Sequence, residues 1–229
     1  MTGRILELDA KQWSAVRAEA LKGGGVTAVG TALAEHLGAP VRATLVSTSG
    51  STGTVTRLTM VGDRVLLVMQ VIAERAGETR LSAGAELRFV TADELWPALA
   101  PALPPFEALR APASAVPPGR QGAPTSSNPA GDRAELVRLL DDEQANLQVT
   151  VEAWRDGEAP VKVWPRLWSV VDGRLLDVRT DDGEPAPVER PAGSVAAELQ
   201  WALVGATDAA TRETGGPSGA GASGAGAGA

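Results

Sequence analysis

The chain has 229 residues, 44% of them hydrophobic, with 21 basic and 28 acidic side chains and a net charge of −7. It contains no cysteine, one histidine and no tyrosine, which excludes disulfides, thiolate nucleophiles and cysteine metal sites and removes much of the usual acid–base repertoire. Residues 1–110 carry 11 basic and 11 acidic side chains and the remainder 10 and 17, so the acidity belongs to the second half. Such a chain, without a basic stripe, is a poor nucleic-acid binder, because phosphate neutralisation drives that affinity.

The opening "MTGRILELDAKQW" has no continuous apolar run, and no apolar stretch approaches the ~20 residues of a membrane span. The expectation is a cytoplasmic protein. "LKGGGVTAVG" sets three glycines before a helix. A helix N-terminus attracts anions, but the spacing is neither GxGxxG nor a P-loop, so a turn into the helix is the reading. Val26, Val29, Leu33 and Leu37 recur at helical spacing, and Gly38 ends the helix. His36 lies beside Glu35 near that end, where the helix dipole favours a cation. No GxSxG motif accompanies it to suggest a triad.

Residues 41–48 alternate as a strand. "TSGSTGTV" (48–55) is similar to the phosphate-binding loop of adenylate-forming enzymes but lacks the Pro-Lys-Gly continuation, so it reads as a hairpin turn. "TVTRLTMV" and "RVLLVMQVIAE" are strands joined through Gly62-Asp63, and "ELRFV" is a fourth. Thr91 with Glu94 is a capping-box pattern opening a helix over "ADELWPALAPAL", which Pro101 bends or ends.

Ala111 to Gly131 is Pro, Gly, Ser and Ala with almost no large apolar residue, and reads as a linker. Beyond it the order repeats. "DRAELVRLLDDEQ" is an amphipathic helix through Leu136, Leu139 and Leu140. "LQVTVEAWR" is a strand and Asp156-Gly157 a turn. "APVKVWPRLWSVV" is a strand in which Pro165 suits an edge or a bulge. Asp172-Gly173 turns into "RLLDVRT", "APVER" is a short strand, and "SVAAELQWALVG" closes as a helix. Residues 212–229 form a Gly/Ala tail that cannot bury enough surface to offset its ordering entropy.

The expected fold is therefore α+β, with two quasi-symmetric halves, each an antiparallel sheet with flanking helices, packed as one globular unit. The halves are 1–110 and 132–211, with a linker at 111–131 and a tail at 212–229. "RLTMVGDRVLLV" and "RLWSVVDGRLLDV" fall at the same place in the two halves, with Arg57 over Arg166 and Leu58 over Leu167. A hairpin used twice explains them better than a repeated catalytic motif.

Chemistry is sparse. Asp141, Asp142 and Glu143, and Asp181 with Asp182, lack the spacing of a hard-cation site, so no metal and no cofactor is expected. The tryptophans are the most informative set. Period two places Lys162, Trp164, Arg166 and Trp168 on one strand face and Val161, Val163 and Leu167 on the other, which reads as core. The aromatic, cationic face suits a partner interface with Trp154, Trp164, Arg166 and Trp168 as contacts. The alternative is that a helix of this chain, such as "SVAAELQWALVG", covers it. Trp13 and Trp96 read as packing residues and Trp201 as part of the closing helix core.

The order of "LAEHLGAPVRATLV", a hairpin and "AELRFVTADELWPALAPALP", then "LQVTVEAW", "RLWSVVDGRLLDVR" and "APVERPAGSVAAELQWALVG", resembles EspG-type chaperones of type VII (ESX) secretion in actinobacteria. The resemblance covers about residues 26–110 and 132–207. It implies a non-enzymatic, cytosolic role in holding a secretion substrate, a PE–PPE pair or another helical hairpin of the WXG type. The competing expectations are a small nucleotide-binding enzyme using the Ser/Thr/Gly turn and a structural protein whose sheet edges pair with copies of itself.

Overall fold

Along residues 41–47 Val41, Ala43, Leu45 and Ser47 alternate with Arg42, Thr44 and Val46. Strand β2 (Val41–Ser49) buries the first set. The same period recurs in β7 (Ala145–Ala153), where Leu147, Val149 and Val151 are buried. These two strands lie side by side in the middle of a single antiparallel sheet. The computed structural model describes residues 4–75, 78–116, 137–138, 140–155, 159–181 and 184–212.

The remaining strands are β1 (Arg4–Leu8), β3 (Thr52–Val61), β4 (Arg64–Arg75), β5 (Glu78–Leu81), β6 (Ala85–Thr91), β8 (Lys162–Val171), β9 (Arg174–Asp181) and β10 (Glu184–Arg190). The order is β1-β6-β4-β3-β2-β7-β8-β9-β10, with β5 pairing β4, ten strands among the described residues. Separate sheets for the two halves were expected. Instead β2 and β7 pair from Val41↔Ala153 to Thr48↔Asn146. Each would otherwise present a row of unpaired backbone groups, and joining the halves edge to edge satisfies both.

Among the described residues, the α-helices that flank the sheet are α1 (Ala10–Ala20), α2 (Ala28–Leu37), α3 (Leu95–Leu99), α4 (Glu107–Arg110) and α5 (Ser194–Thr211). The larger core lies on one face, where Leu45, Leu58, Leu67, Leu147, Trp168 and Val170 meet Leu99, Leu109, Val195 and Leu199. On the opposite face of the first half, Leu66, Val68 and Leu87 pack under Ala20 of α1 and Leu33 of α2. Strand β1, helix α1 and strand β5 are additions to the sequence reading. Helix α1 had a local signal: Asp9 accepts from the Gln12 amide at 2.8 Å while Gln12 accepts from the Asp9 amide at 3.0 Å.

The two hairpins are aligned by their turns. Val61↔Arg64 closes Gly62-Asp63, and Val171↔Arg174 closes Asp172-Gly173. Asp172 and Gly173 have φ of 49° and 70°, the pair a tight hairpin turn requires. Counted back from the turns, Leu58 corresponds to Trp168 and Arg57 to Leu167, so the expected match of Arg57 with Arg166 is one residue out. A slip of one exchanges the faces of a strand. Leu58 and Trp168 are therefore both in the core, while Leu167 lies on the opposite face, 38% exposed.

Pro165 does sit at a local edge. Strand β9 pairs with β8 only from Trp168 to Val171, so Lys162 to Leu167 pair on one side, with β7. Pro165, which has no N–H to offer, falls within that stretch, and Arg166 Nη1 donates to its carbonyl at 2.9 Å. The segment read as a linker begins with order: Ala111 and Val116 are buried around a 3-10 turn at Ala113–Ala115. Gly193, at φ 89°, closes against it, and a Cβ there would lie 2.5 Å from the Pro112 carbonyl oxygen. Residues 117–131, residues 132–136 and 139 of the expected helix at 132–144, the Asp156-Gly157 turn and the tail from 213 lie outside the described residues. Leu140 is described, and it packs on Val171 and Leu176.

Candidate functional site: an apolar groove between α3 and α5

The turn of 3-10 helix that follows β6, at Ala92–Glu94, shapes the site. Thr91 and Glu94 form the expected capping box, and the Thr91 amide holds the Glu94 carboxyl below the ordinary carboxylate range. Helix α3 is short because Pro101 follows closely, and a 3-10 turn at Ala100–Ala102 ends it. Its Leu95 and Leu99 enter the core, and Trp96 Nε1 donates to the Arg110 carbonyl at 3.2 Å. That bond ties α3 to α4 and leaves the Trp96 and Pro97 side chains forming a wall.

Helix α5 forms the opposite wall. It is the longest helix among the described residues, 18 residues, and buries Val195, Leu199, Ala202, Leu203 and Ala206. Between the walls runs a groove of about 670 Å³ with Met60 as part of its lining. Two rows of α5 side chains line it: Ala196, Gln200, Val204 and Asp208, and beside them Leu199, Leu203, Thr207 and Thr211. Within each row the spacing is four, so the rows are ridges of one helix surface. Val204 is 65% exposed and the neighbouring Trp201 64%. Trp201, expected in the helix core, instead stands in solvent. The 18-residue helix has only one face on the sheet, and Leu199, Ala202, Leu203 and Ala206 occupy it. Asp93 and Asp208 are the ionisable groups among the lining residues.

The tryptophan set is divided. Trp168 is 1% exposed and packs in the main core. Trp164 is half-buried against α5, where a Cβ at Gly205 would come within 3.3 Å of its ring, and Lys162 Nζ stands 4.9 Å over it. Arg166 Nε donates to Glu198 of α5 at 2.9 Å. The closing helix of the chain therefore covers the aromatic and cationic face. The expected core face is the exposed one, with Val161 at 47% and Val163 at 44%. This assignment of faces is reversed because α5 docks where the Leu58-equivalent position, Trp168, points. Trp154 lies elsewhere: its Nε1 donates to Glu152 at 3.0 Å, and Arg42 stacks 4.6 Å over its ring. Of the six tryptophans, Trp13 and Trp96 are partly buried packing residues, as expected.

A buried polar knot adjoins Trp168. Asp177, its cross-strand partner, receives Arg179 Nη2 at 2.7 Å and Arg190 Nη2 at 3.1 Å on one carboxylate oxygen. Periodicity offered no signal for Asp177, because its place in "RLLDV" falls where an apolar residue alternates.

The other motifs resolve structurally. Gly23, Gly24 and Gly25 all have positive φ and carry the chain from α1 to α2. The anion at the α2 N-terminus comes from the chain itself. Glu19 accepts from the amides of Val26 at 2.9 Å and Thr27 at 2.6 Å and from Thr27 Oγ1 at 2.8 Å. The Thr27 amide foremost holds its carboxyl below the ordinary range. His36 is 4% exposed, and its Nδ1 lies 3.1 Å from Thr59 Oγ1. Burial, aided by Arg64, pushes its pKa down. The helix dipole was expected to favour the cation, and desolvation outweighs it. "TSGSTGTV" forms the β2–β3 hairpin with Gly50 at φ 57°. Among the described residues no group of three or more His, Asp or Glu side chains is placed to hold a metal, and no helix is long and apolar enough to cross a membrane.

No known family profile matches the chain. No curated protein matches it either. Among solved structures, the chain is similar to the type VII secretion system chaperone EspG5 of Mycobacterium tuberculosis, solved in complex with a PE25–PPE41 dimer, at 13% identity and a TM-score of 0.45, over 91% of this chain and 96% of that one. A 12:0-ACP thioesterase from Umbellularia californica overlaps at 11% identity and a TM-score of 0.19, over 79% and 87%. Overlap of this quality is a likeness of outline and carries no argument about function.

Proposed function

We propose that the protein is a cytosolic, non-enzymatic binding protein built from two quasi-equivalent halves, which holds an exported helical polypeptide in soluble form before secretion. The observation that supports this reading is the groove of about 670 Å³ between α3 and α5, with Val204 exposed on its wall and Trp201 beside it. An apolar surface of that kind on a chain with net charge −7 marks a place where another molecule's apolar surface is covered. The element order resembling EspG-type chaperones points to a partner of the PE–PPE or WXG type.

The test is co-expression with a PE–PPE pair and, separately, with a WXG-type pair, followed by size-exclusion chromatography with light scattering. A complex of defined stoichiometry with either pair is the expected result. Partners that remain insoluble or elute alone would refute the proposal. Calorimetry with ATP and Mg²⁺ addresses the enzyme alternative: saturable heat would favour a nucleotide site over the binding role.

A further inference from the structure

Two buried charges meet where the sheet forks. Trp168↔Asp177 is the last pair of the β8–β9 ladder, and beyond it β9 continues with β10 alone. Pro185 and Pro187 have no N–H to add to that outer ladder. Arg190 of β10 stands opposite Leu175 and reaches along β9 to Asp177. The two side chains are 4% and 1% exposed.

The pairing is lopsided. Asp177 Oδ2 accepts from Arg179 Nε at 2.9 Å, Arg179 Nη2 at 2.7 Å and Arg190 Nη2 at 3.1 Å. Among the described residues nothing bonds to Asp177 Oδ1 or to Arg190 Nε, and both atoms are buried. A guanidinium and a carboxylate often meet fork to fork, through two parallel bonds. Here one prong is joined, and the second donor and second acceptor of the same two groups are unmet. Burying a charged group with its bonding capacity unfilled costs far more than burying a neutral N–H such as that of Trp168.

We infer that the Asp177–Arg190 pair binds one internal water, which accepts from Arg190 Nε and donates to Asp177 Oδ1. Water fits because it supplies an acceptor and a donor at once, is neutral, and makes two to four bonds when buried. An anion would be repelled by the carboxylate and a cation by the two guanidinium groups. Arg179 is half-exposed and bonds the same carboxylate, so it lies between the site and solvent. The bound water completes a ring of charge-assisted bonds that ties the edge strand β10 to β9 at the fork. This inference is independent of what the α3–α5 groove binds.

The test is nuclear magnetic resonance on the full chain with ¹⁵N-labelled arginine, reading transfer from water to each Nε–H. Measurement in the laboratory and rotating frames separates dipolar contact from chemical exchange. The expected result is a dipolar cross-peak between water and Arg190 Nε–H, with the sign of a water that tumbles with the protein. In Asp177→Asn the water loses its carboxylate acceptor, so the cross-peak should disappear and Tm should fall by about 5 °C or more. A crystal structure of the parent protein is the second measurement and should show a water at hydrogen-bond distance from both Arg190 Nε and Asp177 Oδ1. No dipolar cross-peak in the parent protein would overturn the inference. So would a cross-peak that survives Asp177→Asn, a direct bond from Arg190 Nε to Asp177 Oδ1, or a chloride in place of the water.

Discussion

Replacing Trp168 and Trp201 by alanine, one at a time, separates the two faces of α5. Trp168 is 1% exposed beneath the helix and Trp201 64% exposed upon it. Burying an aromatic side chain removes about 150–250 Å² from water, or about 4–6 kcal/mol at ~25 cal/mol per Å². Trp168 Nε1 has no hydrogen-bond partner among the described residues, so its deletion also relieves a desolvation cost of about 1–3 kcal/mol. The net loss for Trp168→Ala is about 3 kcal/mol, at the low end of the ~3–5 kcal/mol typical of large aromatic truncations. For a domain of this size that lowers Tm by about 6–12 °C. Trp201→Ala should cost about 1 kcal/mol or less, as exposed substitutions do. Circular dichroism melts and urea midpoints, read at the helix band so that loss of a fluorophore does not interfere, measure both. If Trp168→Ala melts within about 2 °C of the parent while Trp201→Ala falls further, α5 does not cover the face assigned to it.

Gly30→Ala would set a Cβ 2.2–2.5 Å from the Glu19 carboxylate atoms, expelling the carboxylate that caps α2. The variant should be less stable, and Glu19→Ala combined with it should cost less than the sum of the two, a coupling that a double-mutant cycle of urea midpoints reads directly. Strict additivity would count against the cap. His36 has a lowered pKa in the folded state, so the unfolded chain binds the proton more readily. Its share of stability is present above the ordinary histidine pKa of about 6.5 and is lost as pH falls from there through the lowered folded value. His36→Gln should therefore flatten the fall in urea midpoint between about pH 7.5 and 5.5, and an unchanged slope would show that the imidazole is not held neutral.

Much of the strand and helix order was legible because each segment's period matches its final environment. Residues 41–48 alternate, the Gly62-Asp63 and Asp172-Gly173 pairs mark hairpins, and the Thr91/Glu94 cap opens a helix. Short elements were less visible: β1 has five residues, β5 four, and α1 is mostly small and polar. The groove was hidden for a different reason. Leu95, Trp96, Leu199 and Val204 lie about a hundred residues apart in two pairs, and nothing local states that their helices share one face of the sheet.

Residue types and their spacing by themselves determined the elements, the turns, the lack of thiol and tyrosine chemistry and the acidic second half. The elements and turns depend on interactions between neighbours along the chain, and the rest follows from composition alone. Tertiary structure decided which face of β8 is covered, that the halves join through β2 and β7 as one sheet, and that Trp168 is core while Trp201 is surface. A period of two says that a strand has two faces, and only the docking of α5 says which of them is inside.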